Sequence, residues 1–163
     1  LNQKLISITE IKKRNLSFHA RYSAKERIYE YIILNRIAPP SLDKNKVWHI
    51  RKKLDLEIMK KGAKKLLGTH DFSTFRASNC YSKSPIRTIK KINIKRINKK
   101  IVIQFKSKSF LRNQVRSMVG CLKYLGEKKW SLKKFTEVFK SKKRTLCAPP
   151  APSHGLFLEK VIY

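Results

Sequence analysis

Acidic side chains are scarce in this sequence. Three aspartates, Asp43, Asp55 and Asp71, and seven glutamates stand against forty lysines and arginines, for a formal charge of +30. No two of the acids are spaced as a pair for acid/base work. Glycine is sparse as well: five are scattered singly, so no Gly-rich phosphate loop can be assembled. The three cysteines, Cys80, Cys121 and Cys147, are odd in number, far apart and without a CxxC pair. That excludes a disulfide framework and a zinc site, and fits free thiols in a reducing compartment. There is no HExxH, no His/Cys metal spacing and no nucleophile elbow. No metal site is therefore expected. No stretch approaches the ~20 apolar residues of a membrane span, and the start, LNQKLISITEIKKR, has no signal-peptide pattern. A cytoplasmic location is expected. The initiator Met is missing too, which raises the expectation of a piece of a longer protein.

What is present is one domain's worth of chain: 163 residues, 41% hydrophobic, enough for a real core. The cationic surplus repels itself in a compact state unless an acidic partner relieves it. Nucleic acid is the leading partner, because each neutralised phosphate also releases counterions. An anionic membrane surface is the second candidate. A generally Lys-rich composition would produce much of the same excess, so charge alone names no function.

Residues 2–10 alternate weakly, as a short strand would. Residues 26–36, ERIYEYIILNR, are rich in aromatic and β-branched side chains and read as a strong strand. Tyr29, Tyr31 and Ile33 share one face; Ile28, Ile32 and Leu34 share the other. A Pro-Pro loop over 39–49 follows. The spacing then predicts an amphipathic helix over 54–68, capped by Asp55, lined by Leu56, Met59, Ala63, Leu66 and Leu67, and stopped by Gly68. Residues 69–85 read as a polar, aromatic loop. Residues 86–98 and 100–110 alternate as a hairpin turning at Asn98-Lys99, with one core face and one basic face. From 110 to about 126 a helix buries Phe110, Leu111, Val115, Met118, Val119 and Leu122, with Arg112 and Arg116 at the border of that stripe. A further helix over 130–143 is capped by Ser131, a Pro-rich loop follows, and GLFLEKVIY closes the chain as a strand. Strands and helices mix without βαβ alternation, which predicts an α+β fold with a largely antiparallel sheet and helices on one face.

The candidate chemistry lies where Arg, His and aromatic residues interleave. SFHARYSAKERIYEY offers Phe18, His19, Arg21, Tyr22, Arg27, Tyr29 and Tyr31; GTHDFSTFRA offers His70, Asp71, Phe72, Phe75 and Arg76. Rings stack on splayed bases while guanidinium groups fork onto phosphates. Packing is a competing role for Phe72 and Phe75, a local cap or ion pair for Asp71, and a structural hydrogen bond for His19 and His154.

Four blocks in order, SFHARYSAKERIYEYII, GTHDFSTFRASNCYSKSPIRTI, FLRNQVRSMVG and APPAPSHGLFL, resemble the C-terminal half of the tRNA pseudouridine synthase A family, over about residues 16–163. The resemblance implies one ferredoxin-like pseudouridine synthase half, residues 1–163 forming the C-terminal domain. It implies an isomerase that converts uridine to pseudouridine in the anticodon stem and loop of tRNA. It also implies a homodimer and no cofactor. Tyr29 matches the tyrosine that stacks on the target base, with a strand-core role as its rival. Arg116 matches the arginine that pairs with the catalytic Asp. Arg21 and Arg76, from the interleaved arginine and aromatic loops, are expected among the substrate contacts. Arg112 is too, as a phosphate or loop contact, with surface decoration an equal rival. The family's Gly-Arg-Thr-Asp segment is absent from these residues, so the catalytic Asp is expected before Leu1 and this chain alone is expected to be inactive. A non-catalytic basic RNA-binding module is the alternative. Departures from the family pattern fall at Gln114, Tyr81 and Pro150, with Gln114 expected on the polar side of its helix.

Overall fold

The computed structural model describes residues 6–163. Its centre is β1 (Glu26–Asn35), the aromatic and β-branched run. Along one side, β1 pairs antiparallel with β5 (Lys100–Ser107), which in turn pairs with β4 (Ile86–Ile97). Along its other side, β1 takes β6 (Leu156–Ile162) antiparallel at its start and β2 (Trp48–Ile50) parallel at its end. The outer neighbour of β4 is β3 (Gly68–Asp71). The result is a six-stranded, mostly antiparallel sheet in an α+β fold.

The helices α1 (Leu56–Lys64), α2 (Gln114–Gly126) and α3 (Leu132–Lys140) join one core with the sheet face that carries Tyr31, Ile33, Ile89, Ile94, Ile101, Ile103 and Phe105. Register explains that set. Tyr29, Tyr31 and Ile33 lie opposite Phe105, Ile103 and Ile101, so cross-strand pairs on one face are all apolar. The spacing of the inward isoleucines in β4 breaks between Ile89 and Ile92. A bulge there absorbs one extra residue and returns the strand to register. The opposite face is basic along the hairpin, although Val102 and Leu34 are buried on it as well. Asn98 makes the hairpin turn in the left-handed region, φ 53°, a conformation Asn tolerates better than most residues.

Several boundaries differ from the sequence reading. Residues 6–10 form no strand, and the rest of the weak strand over 2–10 lies outside the described residues. The loop over 39–49 ends in β2, whose three residues are too few for alternation to register. The start of the 69–85 loop is β3, an edge strand of polar residues. Asp55 does cap α1, accepting from Glu57 and Ile58 N–H at 3.0 and 3.2 Å. That helix stops at Lys64, however, and Gly68 (φ +94°) opens β3 rather than closing the helix. Leu67 consequently stays 37% exposed. Ser131 caps α3 through Lys134 N–H at 3.1 Å.

The largest difference concerns α2. Asn113 precedes it in the left-handed region, φ 61°, so the chain turns at Arg112 and Asn113, closed by Gln114 N–H donating to the Leu111 carbonyl at 3.1 Å, and residues 110–113 lie before the helix instead of forming its first turn. Helical spacing carried through that turn misplaces Gln114, which is fully buried and not on a polar face.

Candidate RNA-modifying cleft

The apolar face of β1 changes character within two residues. Tyr31 is fully buried and its hydroxyl donates to the Pro152 carbonyl at 2.7 Å. Tyr29, on the same face, is half-buried. Its ring meets Phe110 edge to face at 5.2 Å between centroids and 88° between planes. The turn before α2 sets that contact. It also leaves the rest of the Tyr29 environment open to a cavity of about 840 Å3, within the range of small-molecule clefts.

Six cations line this cavity, Arg21, Arg27, Arg87, Lys108, Arg112 and Arg116, and no described Asp or Glu does. Tyr22, Tyr29, Tyr81 and Phe110 supply aromatic wall. Arg116 is held in place by the protein. Its Nε donates to the Ala151 carbonyl at 2.6 Å and its Nη1 to Asn113 Oδ1 at 3.4 Å. Its own carbonyl accepts from Ala151 N–H at 3.0 Å. The Pro-rich loop and the left-handed Asn113 thus grip the guanidinium from two sides. No described carboxylate forms an ion pair with it. Burial pushes the Tyr31 phenol above its ordinary value, opposed by the positive charge of Arg116.

The remaining sequence-derived candidates fall as follows. Arg21 lines the cavity, exposed, with its guanidinium carbon 5.7 Å from the Tyr22 ring centre. Arg112 lines it too, exposed, while its carbonyl accepts from Ala77 N–H at 3.1 Å. Arg76 lies outside the cavity lining; its Nη2 donates to the carbonyls of Cys80 and Ser82 at 2.8 and 2.6 Å, bracing the loop that carries Cys80 and Tyr81. Phe72 and Phe75 are core, and Asp71 accepts from Ser73 N–H at 2.8 Å and pairs with Lys142 at 3.5 Å. His19 accepts the backbone N–H groups of Arg21 and Tyr22, a local structural role.

Sequence reasoning missed Arg87 and Lys108. Both sit at strand ends of the hairpin, where they look like any other outward basic residue; only the fold turns them toward the cavity. Arg27 bridges the walls by donating to the carbonyls of Lys108 and Arg21. Cys80 also lines the cavity. Burial alone would raise its thiol, but the N–H groups of Ser82 and Arg112 and the charge of Arg76 outweigh burial and hold it below its ordinary value. Cys121 and Cys147, distant in sequence, are free thiols 3.4 Å apart. Among the described residues no three His, Cys, Asp or Glu side chains gather where a metal ion could be held, and no helix is long and apolar enough to cross a membrane.

An α+β sheet whose one open end carries a ring-walled, acid-free cationic cleft defines a protein suited to a polyanion bearing flat bases. The model of the tRNA pseudouridine synthase family matches residues 63–163. The chain belongs to that family. It is 69% identical over all its 163 residues to tRNA pseudouridine synthase A of Pelagibacter ubique, covering 66% of that protein. It is 43% identical over its full length to the Caulobacter vibrioides protein of the same name, and 44% to that of Paramagnetospirillum magneticum, covering 66% and 64% of them. The chain thus spans just under two thirds of the length of these relatives.

Proposed function

We propose that this chain is the C-terminal domain of a tRNA pseudouridine synthase. In this reading the complete enzyme isomerises uridine to pseudouridine in the anticodon stem and loop, in the cytoplasm and as a homodimer. The observation that carries the reading is the meeting of Tyr29 and Arg116, 87 positions apart by number, in one cavity without a described acid. The base leaves its stack and lies against the Tyr29 ring, at a cost the aromatic contact partly offsets. Arg21 and Arg112, exposed on the rim, take backbone phosphates, joined by Arg27, Arg87 and Lys108. Arg76 serves the same surface indirectly, by holding the loop of Cys80 and Tyr81. The guanidinium of Arg116 pairs with a carboxylate supplied from outside these 163 residues, orients it and keeps it ionised. The uracil is then detached from its sugar, turned and rejoined through carbon.

The test is pseudouridine formation by the full-length protein carrying the segment upstream of Leu1. Tyr29→Ala should lower turnover by about 10- to 100-fold, the worth of one base–aromatic stack, with tRNA affinity changed much less. Turnover that survives the substitution would remove the stacking role. A second reading follows from the acid-free cavity: with no carboxylate supplied, the domain is a basic RNA-binding module. A wild-type full-length protein that binds tRNA and forms no pseudouridine would decide for it.

A further inference from the structure

Cys121 and Cys147 do not line the cationic cavity, yet the fold brings their sulfurs to 3.4 Å. A disulfide bond is about 2.05 Å long, so the two sulfurs need to close by only about 1.4 Å. Cys121, within α2, is fully buried; Cys147, directly after the single turn Arg144–Leu146, is half-buried. Arg144 stands beside Cys147 and is itself tied to α2, its Nη1 donating to Ser117 Oγ at 3.2 Å. The two thiols are unequal. The hydrogen bond from Cys121 and the charge of Arg144 outweigh burial and hold the Cys147 thiol below its ordinary value; the same bond and burial push Cys121 above it. The thiolate is the attacking form, and redox-sensitive cysteines are accessible thiolates set beside a second, resolving thiol. The surroundings give a bond here a consequence. The loop that begins at Cys147 lies with the Pro149 carbonyl against Gly120, and its Ala151 exchanges hydrogen bonds with Arg116. A bond at Cys147 fastens that loop to α2 at its start.

We infer that Cys147 and Cys121 form a peroxide-reactive thiol pair, and that their disulfide latches the Pro-rich loop onto α2. The oxidant is a hydroperoxide, for which hydrogen peroxide is the probe. The Cys147 sulfur attacks one peroxide oxygen: an S–O bond forms, the O–O bond breaks, and hydroxide leaves and takes up the proton that Cys147 released. The Cys121 sulfur then attacks the sulfenic sulfur: the S–S bond forms, the S–O bond breaks, and the departing hydroxide takes the Cys121 proton. Two thiols thus give two electrons to one peroxide and two waters result. A dithiol reductant returns both electrons and both protons by exchange, so the latch is reversible, as a disulfide in a reducing compartment must be. This chemistry is independent of the uridine-isomerising reading of the cleft.

The experiment treats the full-length protein with hydrogen peroxide, blocks the remaining thiols with N-ethylmaleimide and maps the peptides by mass. The expected product is a Cys121–Cys147 link within one chain, two hydrogens lighter than the thiols and reversed by dithiothreitol. The bond joins positions 26 apart, so the oxidised protein should melt about 5–10 °C above the reduced one. Two variants assign the order of attack. Cys121→Ser removes the resolving thiol and should stop at a sulfenic acid on Cys147, captured by dimedone. Cys147→Ser should leave Cys121 unreacted. The wild-type map decides even where a serine variant fails to fold. Should Cys147 pass to sulfinic acid in the wild type with Cys121 still reduced, or should peroxide oxidise Cys80 and spare the pair, the two thiols do not act together and the proposal fails. A link between two chains, or a bond that leaves the melting temperature unchanged, removes the latch. Dimedone capture on Cys121 in Cys147→Ser, with none on Cys147 in Cys121→Ser, also overturns the proposal, because the buried thiol would then be the one that attacks.

Discussion

Arg116 is held by the Ala151 carbonyl, the Asn113 carboxamide and its own backbone pairing with Ala151 before any substrate is present. Such preorganisation makes it a fixed charge. In the full-length protein, Arg116→Ala should raise the pKa of the paired carboxylate by about 1–3 units. The acid limb of the pH–rate profile then moves to higher pH; an unmoved limb and an unchanged rate would refute the pairing. Asp71 gives a prediction about stability. Burial pulls its carboxyl up, but the Ser73 hydrogen bonds and Lys142 outweigh this and leave it below its ordinary value. A depressed folded pKa stabilises above the unfolded value of about 3.9, and that stabilisation is lost as pH falls through the folded value. Asp71→Asn keeps an acceptor for Ser73 and loses the charge. Thermal midpoints measured from pH 6 down to pH 2 should therefore fall less steeply below about pH 4 in the variant. Parallel curves would show that Asp71 contributes nothing. Glu26, held by Lys106 and Lys90, and Glu127, held by Lys123 and Lys129, shift in the same direction. Residue by residue, two members of the cavity wall were legible in the sequence: Tyr29 and Arg116 stand in recognisable blocks. Gln114 was not, because one left-handed Asn113 displaces the helix start, and helical periodicity carries no information about such a turn.

At the scale of elements, α2 and the Pro-rich loop behave as one piece. A Cβ added at Gly120 would collide with the Pro149 carbonyl oxygen, which is backbone and cannot rotate away. At Gly62 it would meet the end of the flexible Leu125 side chain. Gly120→Ala should cost about 1–3 kcal/mol in urea denaturation of the full-length protein and lower turnover, because the displaced loop holds Arg116. In Gly62→Ala, part of any clash is offset by about 1 kcal/mol of helix propensity, so its midpoint should stay near wild type. Equal losses in the two would separate the loop from the site. Long, periodic elements were readable from sequence: β1, the hairpin of β4 and β5, and the caps of α1 and α3 all follow local rules. Short β2 and β3 were not, since three or four residues acquire strand form only from the neighbour they pair with.

For the whole molecule, the charge of +30 becomes functional only where the fold concentrates it. Six cations facing one cavity make a focused field rather than a diffuse one. Affinity of the full-length protein for tRNA should fall linearly on a log–log plot against salt. A footprint of about 6–10 phosphates loses about 10^3–10^5 in affinity between 50 and 200 mM. A flat dependence would show that the basic wall does not meet the backbone.

The sequence alone determined the fold class, the strong strands and helices and the family, because period, capping chemistry and ordered blocks are local properties of the chain. It also set the cationic character, a matter of counting. Only the tertiary structure decided that Tyr29 and Arg116 share a cavity, that Arg87 and Lys108 join them while Arg76 braces a loop, that Cys121 and Cys147 are neighbours, and that Gln114 is buried. Each of those depends on how strands, helices and loops pack against one another, which cannot be read from residue spacing along the chain.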